Sequence, residues 1–295
     1  MASPIRKVVI PAAGLGTRGL PFTKEIPKEM LPIIDIPTIH FIVEEVLAAG
    51  IEQVIFVTSR GKHSLQDYFD YSPALDSFLR QRGKGELADK MRRIGSMCEV
   101  MSVRQKEPLG LGHAVLCAQH LVGAEKFAVC LGDEIFPPWG EANKAQAPLK
   151  KLVEASSSIN ASLVGTVEVA TQETKSYGML KLSEPIGDER PARILGTVEK
   201  PAPENSPSRF AIIGRYVFEP EIFDCLSRTP KGAGGEIQLT DGMNQLCEKG
   251  GLFALKIKAA RYDVGNQFFY LKAQIDEALR RPELASPLKE YLKTL

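Results

Sequence analysis

The sequence predicts an α/β fold, with a mixed, mainly parallel central sheet flanked by helices and a smaller β-rich lobe toward the C-terminal half. Two patterns carry that expectation. Runs of strand length rich in β-branched residues recur along the chain. Across residues 1–135 they alternate with helical patterns as β–loop–α–β–α–β–α–β, the order that builds a parallel sheet covered on both faces. Beyond that point strands and turns dominate, and Pro201, Pro203 and Pro207 mark a surface loop.

The strand runs are Lys7–Ala12, Gln53–Ser59, Glu99–Arg104, Phe127–Gly132, Ser162–Val169, Gly178–Leu182, Arg193–Glu199, Ile212–Phe218 and Leu252–Ile257. HFIVEEVLAAG places Phe41, Ile42, Val46 and Leu47 at helical spacing and stops at Gly50, a good C-terminal cap. GLGHAVLCAQHL repeats that theme. Residues 71–94 read as one or two amphipathic helices inserted between strands, with RQRGKGELADKMRR as a solvated face or a subunit interface.

Composition narrows the function classes. A chain of 295 residues with 44% hydrophobic and 25% charged residues suits a soluble globular protein. A net charge of +1 gives no field to attract nucleic acid or an anionic membrane. Apolar runs such as KVVIPAAG are too short to span a bilayer, and MASPIRK leads into a strand without a signal-peptide core. Five scattered cysteines with no C-x-x-C pair fit free thiols in a cytoplasm, and no H-E-x-x-H suggests zinc.

PAAGLGTRGLP contains Gly14, Gly16 and Gly19 as G-x-G-x-x-G, the dinucleotide-binding spacing. That motif requires a helix to open at its last glycines and hold a pyrophosphate. Pro21, Pro27 and Pro32 forbid such a helix, and the next strand waits until Gln53. A dehydrogenase is therefore set aside. What remains is a long loop bearing Gly14, Gly16, Arg18, Lys24 and Lys28, able to cradle an anion through backbone N–H groups and cations. An exposed basic connector explains these residues equally well on composition alone. Position favours the anion site, since ligands of open α/β sheets sit beyond the C-terminal ends of strands.

AAGLGTRGLPFTKEIPKEMLP, RQKEPLGLGHAV, LGDE, SYG, VEKP, IIGRYVF, GEIQLTD and YDVGN follow one another nearly end to end. This ordered series resembles the sugar-nucleotide pyrophosphorylases, nucleotidyltransferases that join a nucleoside triphosphate to a sugar 1-phosphate. Within that family it is most similar to the bacterial uridylyl-transferring branch. The resemblance implies a single Rossmann-like nucleotidyltransferase domain. Residues 1–135 would form its nucleotide-binding half, and residues 136–295 its sugar-binding half and C-terminal helices. It also implies Mg²⁺ dependence, with UTP and glucose 1-phosphate as substrates, UDP-glucose and pyrophosphate as products, and a cytoplasmic homo-oligomer (dimer or tetramer).

Residue by residue, the resemblance implies that Arg18 and Lys28 hold the triphosphate while Gly14 and Gly16 lend backbone donors. Ala12 and Ala13 leave room for the nucleoside; Glu29 and Gln105 read the base, and Gly110 lets the ring lie against backbone. Asp133 and Asp263 are the expected metal ligands. The family often carries a second aspartate after the first; Glu134 stands there and is given no ligand role. Glu199 is expected on the sugar hydroxyls and Lys200 on its phosphate, although neighbours on a strand face opposite ways unless Pro201 turns the chain. Tyr177 and Gly178 should frame the sugar edge, Gly214 and Arg215 should lie near the hexose and its phosphate, and Glu236 and Gln238 are further lining candidates. His113 and His120 receive no role.

Such a reaction needs no side-chain nucleophile or base, because the attacking phosphate oxygen is already anionic; positioning and cations carry it. Two alternatives stay open. A dTTP-using relative differs only by accommodating a methyl group, worth about 1–3 kcal/mol of discrimination. A non-catalytic regulatory homologue should have lost a phosphate-binding cation or a metal aspartate, and none is missing.

Overall fold

The computed structural model describes residues 5–137, 147–188 and 190–295. It opens with β1 (Lys7–Pro11), whose Val8, Val9 and Ile10 are fully buried. Three 3-10 turns follow at Thr17–Gly19, Phe22–Lys24 and Lys28–Met30, so no crossover helix grows from the glycine loop. A small hairpin of β2 (Pro32–Ile33) and β3 (Ile36–Pro37) leads into α1 (Thr38–Ala48) and then β4 (Gln53–Thr58).

The short α2 (Ser64–Asp67) precedes a helical hairpin of α3 (Pro73–Gln81) and α4 (Gly85–Ile94), the inserted segment. Arg80 joins the two helices by pairing with Asp76 and Asp89. The chain continues through β5 (Glu99–Arg104), α5 (Leu111–Cys117), α6 (Gln119–Val122), β6 (Phe127–Cys130) and β7 (Glu134–Ile135).

In the second half α7 (Pro148–Ile159) and β8 (Ser162–Glu168) precede β9 (Gly178–Leu182), β10 (Ala192–Glu199) and β11 (Phe210–Phe218). Then come α8 (Glu221–Arg228), α9 (Leu239–Glu248), β12 (Leu252–Lys256), β13 (Tyr262–Asp263), α10 (Gln267–Arg280) and α11 (Pro282–Leu292).

Nine strands form one sheet in the order β5-β4-β1-β6-β11-β8-β12-β10-β9. These are the nine runs expected from the sequence, each within two residues of its expected ends. The sheet is parallel from β5 to β6, then mixed: β11 is antiparallel to β6 and β8, whereas β12 is parallel to β8. Period-two alternation divides β1 between two cores, Val8 and Ile10 packing on the α1 face and Val9 on the face of α5, α8 and α9. The site lies beyond the C-terminal ends of β1, β4, β5 and β6, where the parallel half delivers its loops. Among the described residues no helix is long and apolar enough to cross a membrane.

Candidate active site

The loop after β1 is held open by side chains from elsewhere. Ala12 continues the ladder, its N–H donating to Val57 O at 2.8 Å. The next two turns hang on their carbonyls: Lys62 Nζ donates to Gly14 O at 2.7 Å, and Thr23 Oγ1 to Gly16 O at 2.6 Å. The loop is braced through these carbonyls, and Gly19 N–H also donates to Gly16 O at 2.9 Å. A cavity of about 410 Å³ opens beside it, lined by Ala13, Gly14, Leu15, Lys28, Gln105, Gly110 and Asp133.

Opposite the loop, Gln105 Nε2 lies 3.0 Å from both Gly110 O and His113 Nδ1. Both amide hydrogens are thereby engaged, and the carbonyl Oε1 remains as an acceptor. Gly110 adopts φ +95°, and a side chain there would meet Ile237 O at 2.8 Å, so this wall can only be glycine. His113, given no role from sequence, thus orients the residue expected to read a base.

Ala12 and Glu29 lie behind the cavity wall. Gly16 lies on a smaller recess of about 180 Å³ beneath the loop, together with Arg18 and Lys28. Glu29 is fully buried: Oε2 accepts from Lys62 Nζ at 3.3 Å, and Oε1 has no hydrogen-bond partner among the described residues. Burial pushes the Glu29 carboxyl above its ordinary value, only partly offset by Lys62 and Lys28; burial likewise lowers Lys62, against the pull of Glu29. Lys62 was not foreseen. Nothing local in SRGKH signals that it reaches across to the glycine loop.

The two aspartates are brought together by a second small ladder. β7 pairs antiparallel with β13, setting Asp263 opposite Glu134, and Val264 N–H donates to Asp133 O at 2.9 Å. Arg18 spans the gap, with Nη2 3.2 Å from Asp133 Oδ2 and Nη1 3.0 Å from Asp263 Oδ2. Lys28 Nζ lies 2.6 Å from the same Asp133 oxygen. Burial opposes charge on Asp133, yet Lys28 and Arg18 hold its carboxyl below the ordinary value; burial also disfavours the Lys28 ammonium, but Asp133 and Glu29 raise it.

Two carboxylates converging on one guanidinium offer hard oxygen donors to a single small region. That is the donor set Mg²⁺ takes when phosphate oxygens and waters complete its shell. Among the described residues no third His, Cys, Asp or Glu joins them. The pair therefore fits Mg²⁺ and does not resemble a closed structural metal cage.

A second cavity of about 520 Å³ adjoins the first and shares Asp133 with it. Its walls include Arg18, Tyr177, Gly178, Glu199, Lys200, Gly214, Glu236, Gln238 and Asp263. β10 ends at Glu199, and Lys200 takes a left-handed conformation at φ +46° that turns it off the strand's alternation. Glu199 and Lys200 accordingly line one cavity, their charged ends 3.4 Å apart. Gly214 passes so close to Leu131 that a Cβ would meet its side chain at 2.5 Å.

Arg215 is not in this cavity. Its guanidinium is fully buried on the opposite face of β11, with Nη2 2.8 Å from Glu45 Oε2 on α1 and the Phe136 ring stacked 4.8 Å away. The expectation that it lies near the hexose phosphate is corrected by strand alternation: facing Gly214 inward sends its neighbour outward. Arg215 ties the sheet to α1.

The two cavities meet beside the carboxylate pair, with Lys28 lining one and Arg18 and Lys200 lining the other. The chain belongs to the nucleotidyl transferase family, whose sequence model matches residues 7–278. It is 44% identical to the UTP–glucose-1-phosphate uridylyltransferase of Bacillus subtilis strain 168 over 293 residues, 99% of this chain and 97% of that one. Among solved structures, the UTP-bound UGPase from Acinetobacter baumannii superposes with TM-score 0.90 at 36% identity, covering 99% of each chain. A UDP-glucose pyrophosphorylase complexed with UDP-glucose superposes with TM-score 0.84 at 39% identity, covering 94% of this chain and all of that one. The resemblance read from the ordered motifs holds nearly end to end.

Proposed function

We propose that the chain transfers a uridylyl group from UTP to α-D-glucose 1-phosphate, giving UDP-glucose and pyrophosphate. The observation that carries this reading is the shared position of Asp133: one cavity suits a nucleoside triphosphate, its neighbour a sugar phosphate, and the reacting groups would meet between them. The named relatives and the UTP and UDP-glucose complexes of similar proteins support the choice of substrates.

In this scheme a phosphate oxygen of glucose 1-phosphate attacks the α-phosphorus of UTP. The bond from that phosphorus to the bridging oxygen of the β-phosphate breaks, and pyrophosphate leaves with the electron pair. Ala13 and Gly14 admit the nucleoside, and Gln105 Oε1 accepts from the uracil imide N–H. Arg18 and Lys28 exchange their carboxylate partners for phosphate oxygens, binding and orienting the triphosphate. Glu199 accepts from the sugar hydroxyls, and Lys200 pairs with the sugar phosphate. Mg²⁺ held by Asp133 and Asp263 would offset the charge on the phosphate oxygens.

Gly178 and Tyr177 form the sugar rim, and Glu236, which lines both cavities, accepts from Gln238 Nε2 through Oε2 at 2.7 Å. We extend the reading to a cytoplasmic homo-oligomer, dimer or tetramer, supported by exposed Leu75, Phe78 and Leu87 on α3 and α4. The test of the reaction is the fate of UTP labelled at its β-phosphorus. Label in pyrophosphate is expected; label in UDP-glucose, or none released, would refute attack at the α-phosphorus.

A further inference from the structure

We propose that Arg261, the first residue of RYDVG, is a positioning residue for the sugar phosphate, an assignment that rests on the function proposed above. Arg261 lies just before β13, and its side chain sits under the wall of the larger cavity. Its Nη1 lies 3.3 Å from Glu134 Oε1, and its guanidinium carbon stacks 4.6 Å from the centre of the Tyr177 ring. One cation thus joins three separately encoded segments: the chain after β6, the link from β8 to β9, and the approach to β13.

Each partner passes the constraint to a residue on the cavity surface. Glu134 Oε2 accepts the Gly214 N–H at 2.9 Å, fixing the strand that faces the hexose. Tyr177 O accepts the Lys200 N–H at 3.1 Å, holding the residue whose ammonium meets the sugar phosphate. The Gly214, Tyr177 and Lys200 positions therefore all depend on one guanidinium. Glu134 is nearly fully buried beside Asp133, so removing Arg261 would leave its Oε1 without the side-chain cation that faces it. Gln105, Gly110 and Gly14, on the nucleotide side, touch neither Arg261 nor its two partners through any of these bonds.

Glu134 also gains a role here. It is not an idle substitute for the family's usual aspartate, since its two oxygens accept from Gly214 and Arg261 and so link the two. Its longer side chain is what reaches both partners from the β7 ladder.

The test is steady-state kinetics with each substrate varied in turn, on the full chain. Arg261→Met is expected to raise KM for glucose 1-phosphate about tenfold while KM for UTP moves less than about twofold. Arg261→Lys keeps a cation for Glu134 but loses the planar stack on Tyr177, so about a threefold rise in the same KM is expected. A merely structural role would move both KM values together or lower only the active fraction. Equal changes, or no change, in folded Arg261→Met overturn the proposal. Should Arg261→Met fail to fold, an unchanged glucose 1-phosphate KM in Arg261→Lys overturns it instead. Absence of turnover by the wild-type chain would refute the proposed function itself, and this assignment with it; wild-type turnover with unsplit KM values refutes this assignment alone.

Discussion

Lys28 Nζ sits 2.6 Å from Asp133 Oδ2, and Arg18 reaches the same oxygen at 3.2 Å while also holding Asp263. Two cations therefore converge on the carboxylate that both cavities share. Their charge is what a triphosphate would compete for, and its arrival would free the aspartates to serve a cation.

Asp133→Asn follows directly from this arrangement. The amide keeps the shape but loses the charge, so metal-dependent turnover is expected to vanish while the fold survives. Pyrophosphate release measured across a Mg²⁺ titration checks it. Wild-type rates at saturating Mg²⁺ would contradict the metal assignment.

Lys28→Ala separates the two substrates. Removing one preorganised cation from a phosphate site commonly costs about 10²-fold in rate. The loss is expected in kcat/KM for UTP, with direct binding of glucose 1-phosphate changed far less. Calorimetric titration of each ligand distinguishes them, and unchanged UTP affinity and turnover would remove Lys28 from the triphosphate site.

Arg215→Leu tests the correction made to the sugar site. Breaking a buried ion pair by removing one partner costs about 3–5 kcal/mol, because Glu45 would be left charged and unpaired. Urea unfolding should show that loss, and pairing Arg215→Leu with Glu45→Leu should recover part of it. A stable single variant with a selectively weakened glucose 1-phosphate KM would return Arg215 to the substrate site.

Glu29 makes a pH prediction. Burial raises its folded-state carboxyl above the ordinary 4.5. The folded state then holds a proton that the unfolded chain releases, so this contribution is full below 4.5 and is lost as pH rises through the higher folded value. Glu29→Gln removes that dependence. Denaturant unfolding from pH 4 upward should show the wild-type chain losing stability relative to Glu29→Gln across this window; parallel curves would contradict the shift.

The sheet was legible because its strands are short, mostly apolar runs, several of them β-branched, from KVVIP to LFALK. The prolines after Gly19 were equally legible and correctly denied a crossover helix. What could not be read was long-range reach. Lys62, His113 and Arg261 each support a site residue from another segment, and no local spacing marks them. Arg215 was misplaced because a motif groups neighbours that a strand separates onto two faces. Lys200 escaped the same rule only through its left-handed backbone.

The most direct measurement of the central claim is pyrophosphate release across a matrix of nucleoside triphosphates, dTTP included, and sugar 1-phosphates. UTP with glucose 1-phosphate is predicted to give the highest kcat/KM, with release dependent on both substrates. Release that needs no sugar phosphate, or a maximum at a different pair, would contradict it.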